Sequence, residues 1–354
     1  MRIGIIGGGQ LGMMMAKAAI ELGHEIVSLD PQKQCSITKY SNQHLVYNYN
    51  DKIGINKLIE STDVITYEFE NIDTEVIQAL NVNLPQKLKT LKMSQNRLIE
   101  KNFAKSMGIK TPIYKKLESE SDLFYPSIIK STSGGYDGKG QLLLKDSSYF
   151  DKKSLNMNKE YIIEELIDFD YEISIISTRD SFGNIVYYPT PRNVHKDGIL
   201  FTSTVTNDIP RIIISKAKDY TRQILESLNY VGTLAVEYFV SNMEVIFNEF
   251  APRPHNSGHY SIEGCNVSQF KNHILAITNK EVIEPVLLHH SIMINILGQN
   301  MDYYIRAKSL NNIHIHCYHK QEIRANRKMG HITITRNSME ACLKLKKIII
   351  GEHE

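Results

Sequence analysis

Two glutamates stand out because each lies in a strand-like segment that is otherwise apolar. Glu237 lies in LAVEYF and Glu249 in IFNEF, with a turn at Ser241-Asn242 between the two segments. In an antiparallel hairpin the two side chains can approach each other, and unpaired carboxylates among Val, Leu and Phe would be costly. Mg²⁺ held by these carboxylates and by nucleotide phosphates would remove that cost. The pattern favours a metal site over two acids on an exposed sheet face.

A glycine-rich loop between two short strands is the second candidate site. In YPSIIKSTSGGYDGKGQLLL the first strand ends in Lys130, and four glycines follow within seven residues. Backbone N–H groups of such a loop can surround anionic oxygens, and a lysine on the strand can reach the same phosphates. The loop lacks the G-K-[ST] of a P-loop. A phosphate cradle and a flexible hairpin are both compatible with this segment alone.

Acidic residues on the next two strands could complete a nucleotide site. The segment EYIIEELIDFDYEISIIS carries Glu164 and Glu165 on one strand and Glu172 at the start of the next. Adenine and ribose need a few acceptors and apolar cover, which alternating strand residues can supply. Solvated acids on a sheet face would give the same pattern.

The chain opens with a different glycine motif, MRIGIIGGGQLG. Gly7, Gly9 and Gly12 form G-x-G-x-x-G between a strand and the helical stretch QLGMMMAKAAIEL, and Asp30 follows eighteen residues after Gly12. This is the pattern of a dinucleotide-binding unit, with a helix N-terminus at a phosphate. A phosphate on another ligand and a purely structural turn are the alternatives. A dinucleotide-binding fold has no place for the second glycine loop.

Bulk composition narrows the class of protein. In 354 residues, 41 Lys and Arg nearly balance 39 Asp and Glu, which does not suggest a nucleic-acid or membrane-surface protein. Apolar runs are far shorter than a membrane span, and no signal-like leader precedes the first strand. We therefore expect a soluble cytoplasmic protein. Cys35, Cys265, Cys317 and Cys342 are scattered, and we expect reduced, mostly buried thiols.

The elements that must position these residues begin with repeated βα units. Strands are predicted at HEIVSLD and DVITYEFE, and helices at GINKLIE and at DTEVIQAL, which Asp73 caps. A polar helix is predicted over 93–108. A parallel sheet of this kind binds ligands beyond the carboxyl ends of its strands, where the first glycine motif lies.

The motifs together resemble the ATP-grasp superfamily and, within it, the 5-(carboxyamino)imidazole ribonucleotide synthases. The resemblance runs nearly end to end, through GIIGGGQLG, DVITYEFENI, QNRLIEKNF, GGYDGKGQ, NVHKDGIL, NEFAPRPHNSGHYSIEG and RANRKMGHITIT. It implies a biotin-independent carbon–nitrogen ligase of purine biosynthesis. Such an enzyme carboxylates 5-aminoimidazole ribonucleotide with ATP and bicarbonate, through carboxyphosphate. Another ATP-grasp ligase, a silent nucleotide-binding protein and an NAD(P)-dependent oxidoreductase are the alternatives. A silent relative should have lost Lys130, Glu237 or Glu249, and all three are present.

The resemblance also implies an architecture of mixed α/β and α+β class. We expect an N-terminal βα parallel-sheet domain over 1–95 and a small β-rich lid with its linker helix over 96–172. A larger C-terminal α+β domain follows over 173–354, with a small β-rich tail from about 290. The implied cofactors are ATP as co-substrate and Mg²⁺, or Mn²⁺ in its place. A homodimer is expected by analogy, with no nucleic-acid or membrane partner.

Site residues carry over from the family one by one. The nucleotide contacts implied by the resemblance are Arg97, Lys130, Gly135, Tyr136, Asp137, Gly138, Lys139, Gly140, Gln141, Glu164, Glu165, Leu166, Ile167, Glu172, His195, Asn248 and Glu249. The Mg²⁺ ligands are Glu237 and Glu249. The ribonucleotide contacts are Tyr136, Arg253, His255, Asn256 and Ser257, with Lys320 and Arg327 at its 5′-phosphate. Arg253, His255 and Lys130 are the expected catalytic residues, with His255 a candidate for moving the amine proton.

Two positions depart from the family pattern. Asn326 stands where glycine is common, and we expect the turn to be kept because asparagine accepts positive φ. Arg192 stands where many relatives have an acid, so its role is open. The nearby His314, His316 and His319 could suggest zinc. A plain sheet face beside Lys320 is the better interpretation, since no second ligand pair lies at metal spacing.

Overall fold

The computed structural model describes residues 1–135, 140–149, 155–156 and 158–352. The predicted loop residues Tyr136, Asp137, Gly138 and Lys139 lie outside the described residues. Within the described chain, no helix is long and apolar enough to cross a membrane.

The N-terminal region is the predicted series of βα units around a parallel sheet. Its elements are β1 (Arg2–Ile6), α1 (Gln10–Glu21), β2 (Glu25–Leu29), β3 (Gln43–Leu45), α2 (Lys52–Glu60), β4 (Val64–Tyr67) and α3 (Thr74–Ala79). The strands pair in parallel in the order β3-β2-β1-β4. Asp73 caps α3 as predicted, because its carboxylate accepts from the N–H groups of Glu75 and Val76. The first glycine motif directly follows β1. Because the strands are parallel, the motif lies at the edge of the sheet where the other strands also end.

The polar helix predicted over 93–108 is two helices, so that prediction was wrong at its start. The first is α4 (Leu88–Ser94) and the second is α5 (Arg97–Ser106). The break lies at Asn96, whose side chain accepts from the N–H groups of Leu98 and Ile99 and so begins a new helix. The N–H of Arg97 donates to Thr132 O at 2.8 Å, which joins the start of α5 to the lid.

The lid is a small antiparallel sheet. Its strands are β5 (Tyr114–Leu117), β6 (Ser127–Ser131), β7 (Gln141–Leu144) and β8 (Tyr161–Glu165), in the order β5-β8-β6-β7. Ile129, Leu144 and Ile163 form a compact core on one face. Because strand residues alternate between faces, Lys130 and Glu164 lie on the other face, toward the rest of the molecule.

The remaining chain forms one large antiparallel sheet. Its strands are β9 (Tyr171–Arg179), β10 (Ile185–Tyr187), β11 (Pro191–Lys196), β12 (Ile199–Val205), β13 (Gly232–Ser241), β14 (Glu244–Ala251), β15 (His290–Leu297), β16 (Ile313–Cys317) and β17 (Lys328–Arg336). Its helices are α6 (Arg211–Ser227), α7 (Ser261–Gly264), α8 (Gln269–Ile277), α9 (Met301–Lys308) and α10 (Met339–Ile350). The order is β14-β13-β9-β11-β12-β15-β17-β16, with β10 beside β9. The strands after residue 290 therefore extend this large sheet. We call the large sheet and its helices the body.

A buried contact fixes the N-terminal region against this body. Helix α8 packs on α1, and Phe270 and Ile274 share a core with Met15. Beside it, His273 Nδ1 accepts from the N–H of Thr233 at 3.0 Å, and His273 Nε2 lies 2.9 Å from Thr66 Oγ1 on β4. Since Nδ1 accepts, the ring proton lies on Nε2 and donates to Thr66. The mixed α/β architecture predicted from the sequence is confirmed.

Candidate active site

The hairpin of β13 and β14 brings the two glutamates together as predicted. Glu237 and Glu249 are directly paired, but the next pair is Tyr238 with Phe247, so Asn248 is an extra residue in β14. Such a bulge interrupts the alternation of faces. Phe247 and Phe250 are both buried, although three positions separate them. The bulge thereby turns both Asn248 and Glu249 into the cleft.

The surroundings of Glu237 fit a cation. Its side chain is 13% exposed, and Oε1 is buried without a hydrogen-bond partner among the described residues. Burial raises its pKa to about 7; the charges of Glu249 and Glu172 also raise it, and that of His195 opposes them. Two adjacent carboxylates with an unsatisfied buried oxygen form a donor set of the kind that Mg²⁺ prefers.

Helix α5 holds the backbone on both sides of Glu249. Lys101 Nζ donates to Asn248 O at 3.0 Å, and the N–H of Phe250 donates to Glu100 Oε1 at 2.6 Å. Glu100 and Lys101 are 2% and 1% exposed. Neither residue was predicted from the sequence. A usable signal exists, because Arg97, Glu100, Lys101 and Ala104 share one helix face where buried residues would normally be apolar.

The lid contributes a charge cluster to the same place. Glu164 Oε2 lies 3.0 Å from Lys130 Nζ and 3.3 Å from Lys101 Nζ. Burial opposes ionisation of Glu164, but the two ammonium groups outweigh it and lower its pKa. Lys130 lines the cleft, whereas burial lowers the pKa of Lys101, so the ammonium of Lys130 is the positive charge that this cluster presents to the cleft. That charge suits a polyphosphate.

Arg97 lies between the lid and the carboxylate pair. Its guanidinium donates to Ser131 O at 3.1 Å and to Gly135 O at 2.8 Å, and Nη2 lies 3.9 Å from Glu249 Oε2. Both carbonyls lie at the lid's glycine loop. The sequence prediction that Arg97 belongs with Lys130 and Glu249 is therefore geometrically consistent.

These groups line one cleft of about 1100 Å³, counted with its open mouth. The predicted residues that line it are Arg97, Lys130, Gln141, Glu164, Glu165, Leu166, Ile167, Glu172, His195, Glu237, Asn248, Glu249, His255 and Asn256. Gly135 and Gly140 border the glycine-rich loop of the lid, and they are not among the residues that line the cleft. Phe169, Phe239 and Lys328 also line the cleft and were not predicted from the sequence. The Phe169 and Phe239 rings stack at 4.9 Å, beside the segment from Glu164 to Ile167.

His195 and Glu172 form a tight pair on the cleft wall. A bulge between Val194 and His195 interrupts β11, and His195 Nδ1 lies 2.6 Å from Glu172 Oε2. Burial would lower the pKa of His195, but the hydrogen bond to Glu172 and the charge of Glu237 raise it. The pair therefore favours a protonated histidine beside the carboxylates.

The segment after β14 forms the far end of the cleft. Arg253 Nε lies 2.8 Å from Glu70 Oε1, which joins the body to the N-terminal region. Asn256 Nδ2 donates to Asn295 Oδ1 at 3.0 Å. His255 Nδ1 lies 2.8 Å from Ser257 Oγ. Of the predicted ribonucleotide residues, His255 and Asn256 reach the cleft, and Arg253 turns toward Glu70.

Lys320 and Arg327 lie apart from these residues. Burial raises the pKa of Glu68, at the first glycine motif, and Lys320 is close enough that its charge opposes this rise. Arg327 Nη1 donates to Glu322 O at 3.1 Å on an exposed turn, and its neighbour Lys328 lines the cleft. The structure therefore places Lys320 at the junction with the N-terminal region and does not place Arg327 beside His255.

The N–H groups of the first glycine motif are occupied by the chain's own carboxylates. Asp30 Oδ2 accepts from the N–H of Gly8 at 2.8 Å and from the hydroxyl of Tyr49 at 2.6 Å. Glu68 accepts from the N–H of Gly9, and from that of Gly12 at 2.8 Å. Asp30 is thus an acceptor for the turn itself. This arrangement favours the structural turn over the dinucleotide interpretation.

The two departures and the histidine segment have plain structural explanations. Asn326 has φ of 62°, so the turn is kept as predicted. Arg192 pairs with Asp208 at 3.1 Å. His316 Nε2 lies 2.7 Å from Glu263 Oε1, and its ring stacks on His331. No group of three or more metal-ligating side chains occurs among the described residues.

The four cysteines do not pair with one another. All four, Cys35, Cys265, Cys317 and Cys342, are free thiols. Cys265 and Cys342 are buried, and Cys35 and Cys317 are partly buried.

Comparison with known families covers most of the chain. Residues 1–95 match the ribonucleotide synthetase preATP-grasp domain, residues 102–270 the ATP-grasp domain, and residues 291–345 the phosphoribosylaminoimidazole carboxylase C-terminal domain. The chain is 38% identical over 350 residues to the N5-carboxyaminoimidazole ribonucleotide synthase of Staphylococcus saprophyticus, covering 95% of this chain and 93% of the relative. The chain belongs to the N5-carboxyaminoimidazole ribonucleotide synthase family.

Solved structures of this synthase family have the same fold. The Staphylococcus aureus synthetase complexed with ADP is 36% identical with a TM-score of 0.94, covering 99% of this chain and 96% of that one. The Aspergillus clavatus synthase in complex with ADP and 5-aminoimidazole ribonucleotide is 26% identical with a TM-score of 0.92, covering 99% and 97%. The resemblance read from the motifs is confirmed.

Proposed function

We propose that this chain carboxylates 5-aminoimidazole ribonucleotide with ATP and bicarbonate, giving 5-(carboxyamino)imidazole ribonucleotide, ADP and phosphate in purine biosynthesis. The observation that carries the proposal is one cleft with two chemically distinct ends. One end has the positive lid cluster beside Glu237 and Glu249, and the other has His255 and Asn256. Membership of the synthase family supports the same assignment.

The nucleotide end would bind ATP between lid and body. Lys130 and the N–H groups of the loop from Gly135 to Gln141 contact the phosphates. Glu164 to Ile167 contact the adenine and Glu172 the ribose, with Arg97, His195 and Asn248 nearby. Glu237 and Glu249 would hold Mg²⁺, which when bound offsets phosphate charge. The buried, unpartnered oxygen of Glu237 supports this assignment.

The far end would bind the ribonucleotide. Arg253, His255, Asn256 and Ser257 lie on one segment. Arg253 contacts Glu70 of the N-terminal region, His255 and Asn256 line the cleft, and Tyr136 is their predicted partner from the lid loop. Lys320 and Arg327 are assigned to the 5′-phosphate. The position of Lys320 near Glu68, at the first glycine motif, supports the assignment of Lys320 to the 5′-phosphate.

The chemistry takes two steps. A bicarbonate oxygen attacks the γ-phosphorus of ATP, and the bond from that phosphorus to the β-phosphate oxygen breaks. The products of this step are carboxyphosphate and ADP. The exocyclic amine of the ribonucleotide then attacks the carboxyl carbon of carboxyphosphate, or CO₂ released from carboxyphosphate. Phosphate leaves, and the amine loses a proton. Lys130 and loop amides stabilise charge that develops on the transferred oxygens. Water must be excluded from the cleft during these steps, because it would hydrolyse carboxyphosphate.

His255 is better placed to donate a hydrogen bond than to remove the amine proton. Burial and the charge of Arg253 lower its pKa well below the ordinary value, so the ring is neutral near pH 7. Nδ1 accepts from the N–H of Ser257 at 3.3 Å, which leaves the ring proton on Nε2. We assign His255 to orienting the substrate and Arg253 to holding carboxylate-derived oxygens.

We also propose a cytoplasmic homodimer, on the strength of the family resemblance. Light scattering and sedimentation at micromolar concentration would measure the oligomeric state, and a monomer at all concentrations would contradict it.

The decisive assay measures ADP release with ATP, Mg²⁺ and bicarbonate, with and without 5-aminoimidazole ribonucleotide. Strong stimulation by this ribonucleotide is expected. Equal stimulation by glycinamide ribonucleotide would instead favour another ATP-grasp ligase.

Phosphate placement is tested by Lys320→Ala and Arg327→Ala. Each should raise the KM for the ribonucleotide roughly tenfold or more and leave the KM for ATP unchanged, since a charged hydrogen bond contributes about 1.5–3 kcal/mol. If Arg327→Ala chiefly raised the KM for ATP, the placement would be wrong.

A further inference from the structure

A fully buried glutamine makes an unusual pair of contacts with the backbone of His255. Gln269, at the start of α8, is 0% exposed. The N–H of His255 donates to Gln269 Oε1 at 2.9 Å, and Gln269 Nε2 donates to His255 O at 2.6 Å. The orientation of the amide is fixed by these partners, because an N–H requires the oxygen and a C=O requires the NH₂.

The glutamine is itself held in place from three sides. Its N–H donates to Ser261 Oγ at 3.0 Å, and its carbonyl accepts from Thr233 Oγ1 at 3.0 Å. Thr233 lies on β13, the strand that carries Glu237. At Gly258, a Cβ atom would lie 2.6 Å from Gln269 Oε1, so the backbone of the loop packs directly on the amide.

We propose that Gln269 is a positioning residue for the ribonucleotide. By bonding to the N–H and to the C=O of His255, Gln269 fixes the positions from which the His255 ring and the Asn256 amide face the cleft. Without it, the N–H of His255 would lose its partner and the C=O would keep only the N–H of Gly258, at 3.0 Å, so the segment would be held less firmly. The nucleotide end is held separately, through Lys101 and Glu100. The inference rests on the proposed binding of the ribonucleotide at this segment.

Gln269→Glu is the sharpest test because it keeps the size of the side chain. One carboxylate oxygen still accepts from the N–H of His255, but the other meets the carbonyl of His255 without a proton to donate. We expect the KM for 5-aminoimidazole ribonucleotide to rise about tenfold or more. The KM for ATP should stay within about twofold, and more ADP should form per carboxylated product.

Asn272→Asp is the matched control on the same helix. Asn272 is also 0% exposed, but its amide donates to Tyr188 Oη and to Ile283 O, away from the cleft. It should lower thermal stability as Gln269→Glu does and leave both KM values unchanged. Equal KM values in the two variants would overturn the proposal, as would an equal rise in the KM for ATP in Gln269→Glu.

Gly258→Ala provides a second route if Gln269→Glu does not fold. The new methyl group should displace the Gln269 amide and raise the KM for the ribonucleotide without changing that for ATP; an unchanged KM for the ribonucleotide would count against the proposal. Failure of the proposed function is distinguishable, because the unaltered protein would then show no ribonucleotide-dependent ADP release at all.

Discussion

Two pairs of acids in this molecule have opposite relations to their surroundings. Asp30 and Glu68 lie at the ends of parallel strands and accept hydrogen bonds from the N–H groups of the first glycine motif. Glu237 and Glu249 lie opposite each other in an antiparallel hairpin, where Glu237 Oε1 has no hydrogen-bond partner among the described residues. The first pair is satisfied by the chain itself, whereas in the second Glu237 keeps an unpartnered oxygen, which suits the proposed Mg²⁺.

The comparison shows why a motif alone does not identify a ligand site. G-x-G-x-x-G supplies N–H groups at a helix N-terminus, which suit any anion. In this chain Glu68 provides that anion, and a Cβ on Gly7 would lie 2.3 Å from Glu68 Cγ. The glycines are therefore needed for close approach of a carboxylate side chain. The hydrogen bonds that are already made distinguish a structural acid from a ligand-binding one.

The largest expected effect comes from the unsatisfied pair. Glu249→Gln keeps the size of the side chain and removes one charge from the proposed Mg²⁺ site. ADP formation should fall by about 10²–10³ under all conditions, because a charge contact that stabilises the transition state is lost. Steady-state ADP release at several Mg²⁺ concentrations measures it. An unchanged rate and Mg²⁺ dependence would show that the pair does not serve a cation.

The satisfied pair should respond in stability instead. Glu68→Gln replaces one accepting oxygen by an NH₂ that meets a glycine N–H, so at least one hydrogen bond is lost. We expect the free energy of unfolding to fall by about 1–3 kcal/mol, with the KM for ATP unchanged. Urea unfolding and ATP titrations measure the two quantities. A raised KM for ATP would contradict the division between the pairs.

The occupied N–H groups of the first glycine motif also lead to a prediction about cofactor binding. NADH and NADPH should not bind at millimolar concentration, since Asp30 and Glu68 occupy the groups that a dinucleotide would use. Saturable quenching or enhancement of cofactor fluorescence would revive the dinucleotide interpretation.

Local features were predictable from the sequence because their causes are local. The Asp73 cap and the hairpin of β13 and β14 depend on neighbouring residues. The structure has both, with the turn at Asn242-Met243, one residue after the predicted Ser241-Asn242. The contacts that complete the site join distant segments. Lys101 and Asn248 are 147 positions apart, and Arg253 and Glu70 are 183 apart. The periodicity of one segment contains no information about such partners.

The bulge at Asn248 is an intermediate case. The letters IFNEF already show two phenylalanines three positions apart, which regular alternation cannot bury on one face. The pattern could therefore have indicated an extra residue. Which groups then hold the bulge, Glu100 and Lys101, required the tertiary structure.

A further effect on stability, confined to acidic pH, concerns the buried histidine between the N-terminal region and the body. Burial lowers the pKa of His273 to about 3, against 6.5 for the exposed ring. Between these values the unfolded chain binds a proton that the folded chain does not, so stability rises with pH. The contribution of neutral His273 is therefore fully present above pH 6.5. It is lost as the pH falls toward 3, at about 1.4 kcal/mol per pH unit.

Urea unfolding of the unaltered protein and of His273→Gln between pH 7.5 and 5 measures this contribution. Glutamine can still bond Thr66 but does not titrate, so the variant should be less stable at pH 7.5 and lose less stability on acidification. His255, His259 and His331 also have lowered pKa values through burial, and their contribution is common to both proteins. The difference between the two slopes therefore isolates one proton. Parallel slopes would mean that His273 is already protonated in the folded state, and that its Nδ1 does not accept from Thr233.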